Sequence, residues 1–82
     1  MNAGTEHHLD ARIAGLLADR TPRTIAQLAA ELNEPAFAVR WGLKRLHRQG
    51  RIVCAGRMLE HRRTFGAPAQ HWAALWTMSA DA

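Results

Sequence analysis

The hydrophobic period of this chain changes once, at Gly50, and that change restricts the fold more than any other feature. Ahead of Gly50 the apolar residues recur at helical spacing; beyond it they alternate or run together as β-branched residues. Leu9, Ile13, Leu16 and Leu17 fall at i, i+4, i+7 and i+8, one face of an amphipathic helix from about Glu6 to Asp19. Thr21-Pro22-Arg23 breaks it. Thr24, with Gln27 three residues on, is a capping-box signature ahead of Ile25, Leu28, Ala29 and Leu32, so a short second helix is expected over about Ile25 to Leu32. Asn33-Glu34-Pro35 then makes a tight turn, with Pro35 in the first turn of a third helix, where its missing N–H costs nothing. In that helix Ala36, Val39, Leu43 and Leu46 share a narrow apolar arc, and Arg40, Lys44, His47 and Arg48 occupy another. Gly50 ends it as a left-handed stop.

Arg51-Ile52-Val53-Cys54-Ala55 has the β-branched character of a strand, and Trp72 to Met78 alternates Trp72, Trp76 and Met78 against Ala73, Leu75 and Thr77. The two are expected to pair as a hairpin. Their connection, about Arg57 to Gln70, holds Gly66 and Pro68 among basic residues and reads as a long turn-rich loop. Residues 6–78 thus form one domain, with 1–5 and 79–82 as flexible ends. A chain of 82 residues has material for a single core, which excludes a two-domain enzyme.

Charge is as unevenly spread as hydrophobicity. The chain is net +4, yet residues 40–63 hold Arg40, Lys44, Arg45, Arg48, Arg51, Arg57, Arg62 and Arg63 against Glu60 alone, while residues 1–39 are net acidic. So concentrated a positive field is the electrostatic footprint of a polyanion-binding surface, although a solvated helix face has the same composition. The one cysteine, Cys54, gives no intramolecular disulfide framework, and no apolar leader follows Met1; a reducing compartment, the cytoplasm, is expected. No stretch approaches the roughly 20 apolar residues of a membrane span.

The order helix, short helix ending at Leu32, tight turn, helix and hairpin resembles the winged helix-turn-helix DNA-binding family. The residues that carry the resemblance are Leu28-Ala29-Ala30-Glu31-Leu32-Asn33-Glu34-Pro35, then Val39, Leu43 and Leu46, then Gly50-Arg51-Ile52-Val53, and it covers about residues 8–78. It implies a mainly α fold with a small β-hairpin, of the α+β class: three helices plus a two- or three-stranded antiparallel wing. The function it implies is binding of double-stranded DNA by a small bacterial, phage or plasmid transcriptional regulator, with helix 3 in the major groove. The base-reading candidates are Phe37, Arg40, Trp41 and Lys44. Thr24, Arg45, Arg48, Arg51, Arg57, His61, Arg62 and Arg63 are the candidates for phosphate or wing contacts. A weak or DNA-assisted homodimer is the expected association, through helix 1 or through the Trp72 and Trp76 face.

Phe37 and Trp41 lie at i and i+4 on the side of helix 3 away from Val39 and Leu43. Three uses stay open for them: thymine methyl groups, a partner surface, or a cover supplied by the wing or helix 1. The competing function is accordingly a protein–protein interaction module on the same scaffold. Gly50-Arg51-Ile52 with Ala67-Pro68-Ala69-Gln70-His71-Trp72 loosely resembles the Z-DNA-binding subgroup, but Arg40 and Lys44 stand where that subgroup has an asparagine and a tyrosine, so this variant is set aside. His7, His8, His47, His61, His71 and Cys54 match no zinc spacing, and Cys54 reads as a small buried hydrophobe. Phosphate loops, nucleophile elbows and paired carboxylates beside a histidine are absent from the sequence, so no enzyme activity and no cofactor are expected.

Overall fold

A computed structural model describes residues 2–64 and 67–80, with the side chains of residues 8–60 and 70–80. Three helices, α1 (Asn2–Leu17), α2 (Ile25–Leu32) and α3 (Ala36–Arg48), precede an antiparallel hairpin of β1 (Ile52–Thr64) and β2 (Ala67–Met78), an α+β arrangement. No helix among the described residues is long and apolar enough to cross a membrane.

α1 starts earlier than its apolar stripe and stops at Leu17, short of the expected Asp19. The Asp19 carboxylate accepts the Thr21 N–H at 2.9 Å, a local turn that competes with further helix, and Arg20 takes a left-handed φ of 63°. At α2 the Thr24 hydroxyl accepts the Gln27 N–H at 3.1 Å and the Gln27 side chain accepts the Thr24 N–H at 2.9 Å, completing the capping box. Asn33, at φ 56°, closes the other end. Pro35 sits one place further out than expected: it is the N-cap of α3, in an extended conformation, and its carbonyl accepts the Val39 N–H at 3.2 Å.

The core joins Leu9, Ile13 and Leu17 of α1, Leu28 and Leu32 of α2, Val39, Leu43 and Leu46 of α3, and Ile52 of β1, with Trp76 and Met78 packed against it from β2. Each such side chain contributes about 1.5–3 kcal/mol of apolar burial, so this cluster is what docks α3 on the other helices. α1 and α3 approach closely at Gly42. A Cβ there would lie 2.6 Å from Ile13 Cδ1 and 3.0 Å from Asp10 Oδ1.

The hairpin differs most from expectation. The stretch read as a basic loop is paired strand, continuing from Arg57↔Ala74 out to Thr64↔Ala67. Once Ile52↔Met78 fixes the register beside the core, every further pair adds ladder hydrogen bonds at little extra loop-closure cost, so residues of weak β-propensity are carried along. Pro68, which cannot donate to a ladder, is accommodated in this two-stranded sheet, where each strand has an open edge. The register shifts between Cys54↔Trp76 and Gly56↔Leu75, which makes Ala55 an extra residue, and Gly56 takes φ 133°, a conformation suited to glycine. Cys54, expected to be buried, is a free and exposed thiol, because β1 leaves the helical body after Ile52 and the bulge begins at Cys54. A single-residue bridge adds a third segment: Arg23 and Trp76 exchange both backbone hydrogen bonds, at 2.9 and 2.8 Å.

Candidate functional site

Each of the described acidic side chains, Asp10, Asp19, Glu31, Glu34 and Glu60, has a basic partner. Arg12 donates to Glu34 at 3.0 Å and to the Leu32 carbonyl at 2.7 Å, tying α1 to the α2–α3 turn. Arg23 donates to Asp19 at 3.1 Å, to Glu31 at 2.9 Å and to the Leu16 carbonyl at 2.6 Å. This hydrogen bond from Arg23 holds the Asp19 carboxyl down to about 2, and the Arg23 guanidinium is raised in turn. Arg45 makes a two-pronged contact with Asp10, 2.8 Å on each side, and the Asp10 side chain is only 9% exposed. Glu60 lies 3.1 Å from His71 Nε2 across the strand pair.

With the acids so occupied, Arg40, Lys44, Arg48, Arg51 and Arg57, and Arg20 between α1 and α2, are exposed and have no acidic partner among the described side chains. Three adjoining parts of the chain supply all but Arg20: α3 carries the first three, Arg51 follows its C-terminus, and Arg57 stands on β1. The outward stripe of α3, at i, i+4, i+7 and i+11, reads Phe37, Trp41, Lys44, Arg48, opposite the buried Val39, Leu43 and Leu46. Phe37 is 68% exposed and Trp41 55%, so neither the hairpin nor α1 folds over them. Lys44 Nζ sits 5.1 Å from the Trp41 ring centroid, a cation–π contact. Arg40 faces the hairpin, lining with Ile25, Trp41 and Trp76 a hollow of about 250 Å³.

Of the residues chosen from sequence, Phe37, Arg40, Trp41, Lys44 and Arg48 share α3, Arg51 follows it in the chain, and Arg57 stands on β1 opposite Ala74. Thr24 is set apart: it is fully buried and its hydroxyl is used in the α2 cap. Arg45 is also removed from this group, because it lies on the α1 side of α3 and is committed to Asp10. His61, Arg62 and Arg63 have strand backbones paired with Gln70, Ala69 and Pro68, while their side chains lie outside the described residues. His47, read as a polar-arc residue, packs edge-on against Trp76 at 5.4 Å between ring centroids. Leu9 and Ile13 are core residues and Leu16 packs partly against them, so the stripe of α1 is largely committed to the core, whereas Trp72 is 66% exposed opposite Leu59 on the hairpin.

Two positions that support this face escaped the sequence reading. Gly42, a glycine at a core-facing place in an amphipathic helix, is the recognisable signal of a close helix approach. Arg23 had no signal beyond its charge, since its partners are assembled from α1, α2 and the turn between them. No family model, curated protein or solved structure matches the chain.

Proposed function

We propose that this chain is a winged helix-turn-helix protein that binds double-stranded DNA, with α3 as the recognition helix in the major groove and the β1–β2 hairpin as a basic wing on the backbone or in the minor groove. The observation that carries the reading is the sorting of charge: the described acids are paired with Arg12, Arg23, Arg45 and His71, and the exposed cations of α3, Arg51 and Arg57 are left without acids. Adjacent uncompensated cations repel one another in water and are relieved on a polyanion, where each phosphate contact also releases condensed counterions. A α+β unit of three helices and a hairpin, in which α3 turns an exposed basic stripe away from its buried face, suits a groove about 12 Å wide. A role as a small cytoplasmic transcriptional regulator goes with this reading.

The test is the salt dependence of binding to random-sequence duplex. With about five phosphate contacts, from Arg48, Arg51 and Arg57 together with Arg62 and Arg63, log K should fall against log salt with a slope near −4 to −5. A slope shallower than about −2 overturns the assignment. The exposed Phe37 and Trp41 favour a second reading, a protein-interaction module on the same scaffold, and absence of duplex binding at low salt together with stoichiometric capture of a protein partner selects it. Self-association through the exposed Leu59 and Trp72 pair, weak or DNA-assisted, belongs to the first reading; half-sites about 10 base pairs apart put both recognition helices on one side of the duplex. Sedimentation with and without a selected site measures it, and a strict 1:1 complex on an asymmetric site refutes the dimer.

A further inference from the structure

We infer that Phe37 and Trp41 make this surface a reader of thymine methyl groups, so that its preferred duplexes are A·T-rich and are distinguished by the C5 methyl rather than by hydrogen bonding. The inference rests on the DNA-binding reading above and specifies what that site recognises.

The order of residues along one helical stripe determines what α3 presents to a duplex. From the N-terminus of α3 it runs aromatic, aromatic, cation, cation: Phe37, Trp41, Lys44, Arg48. A recognition helix places its N-terminal residues against base edges, while cations further along are placed for phosphates. The two side chains at the base-facing end are therefore the aromatic ones, and both are largely exposed. Phe37 has no polar atom, and Trp41 has one N–H donor. On the major-groove edges of the four bases, the hydrogen-bonding groups are N7, O6, N4, N6 and O4, and the one apolar group is the thymine methyl. An exposed phenyl ring set among these groups gains by covering that methyl and loses by desolvating any of the others.

Charge selects DNA over a protein as the occupant of this face. Phe37 and Trp41 share α3 with Arg40, Lys44 and Arg48, none with an acid among the described side chains, and charged residues are depleted from the centres of protein interfaces. The Lys44 ammonium over the Trp41 ring keeps positive charge directly beside the apolar contact.

The test compares alternating d(A-T) and d(A-U) duplexes of equal length by fluorescence anisotropy at one salt concentration. These duplexes carry the same phosphates and the same hydrogen-bonding groups and differ in the C5 methyl. Wild-type protein should bind d(A-U) about fourfold more weakly if one methyl is covered and about fifteenfold if two are, with the same salt slope. The double variant Phe37→Ala, Trp41→Ala should bind the two duplexes equally and keep that slope; both side chains are exposed, so its fold is checked by an unchanged melting temperature. Equal wild-type binding to d(A-T) and d(A-U), alongside a steep salt slope, overturns methyl reading and leaves DNA binding standing. Discrimination that persists in the double variant overturns the assignment to Phe37 and Trp41. Failure to bind either duplex at low salt overturns the DNA-binding reading itself.

Discussion

Gly42→Ala tests the packing that aims α3, because helix propensity and tertiary contact give its effect opposite signs. Gly42 lies inside α3, where alanine is intrinsically better by about 1 kcal/mol. In the folded protein the new methyl would stand 2.6 Å from Ile13 Cδ1 and 3.0 Å from Asp10 Oδ1. Carbon atoms pack at about 3.5–4.0 Å, so α1 and α3 must separate by roughly 1 Å. Ile13 is fully buried and Asp10 is held by both prongs of Arg45, so neither can yield by a simple rotation. Overpacking of this kind costs about 1–3 kcal/mol, and disturbance of the Asp10–Arg45 contact adds to it. The net expectation is a loss of about 1–2 kcal/mol, which for a domain of this size lowers Tm by roughly 5–15 °C in a thermal melt followed by circular dichroism. An unchanged or raised Tm would refute the close approach, and with it the present direction of the outward stripe.

Arg45 and Arg48 should behave as opposites. Arg45→Ala leaves the nearly buried Asp10 carboxylate without its guanidinium and should cost about 2–3 kcal/mol, below the value for a fully buried pair because Arg45 is partly exposed, while leaving the salt slope of DNA binding unchanged. Arg48→Ala should leave urea stability within about 0.5 kcal/mol and flatten that slope by about 1; reversed results would exchange their roles. Asp19, depressed from 3.8 to about 2 by Arg23, contributes stability that is present above the ordinary carboxylate range and lost as pH falls from about 3.8 towards about 2. Carbon-13 NMR titration should find its midpoint near 2 and find it restored towards 3.8 in Arg23→Gln; a midpoint unmoved by that substitution would exclude the guanidinium as the cause. Leu43→Ala should cost on the order of 2–4 kcal/mol, and an unchanged melting temperature would show that α3 is turned the other way.

Local physics determined the helical half of this protein. The 3.6-residue stripes, the Thr24–Gln27 capping box and the stops near Asn33 and Gly50 involve residues within a turn or two of one another, so the sequence carried them, and it also located the basic segment and the outward position of Phe37 and Trp41. What depended on distant partners was decided by tertiary structure. The choice of Arg45 over Arg48 as a structural cation was made by Asp10, which lies 35 positions away in the chain and reaches α3 only when α1 docks at Gly42. The length of the hairpin was likewise hidden, because residues 57–64 form a strand through partners in 67–74 and lack the apolar alternation that marks a strand by itself. Thr24 carried a sequence signature for its cap, but its complete burial did not follow from that signature. Periodicity and capping are properties of one segment, whereas burial, ion-pair choice and strand pairing are properties of two segments meeting, and that meeting separates the cations held by acids from those left facing outward.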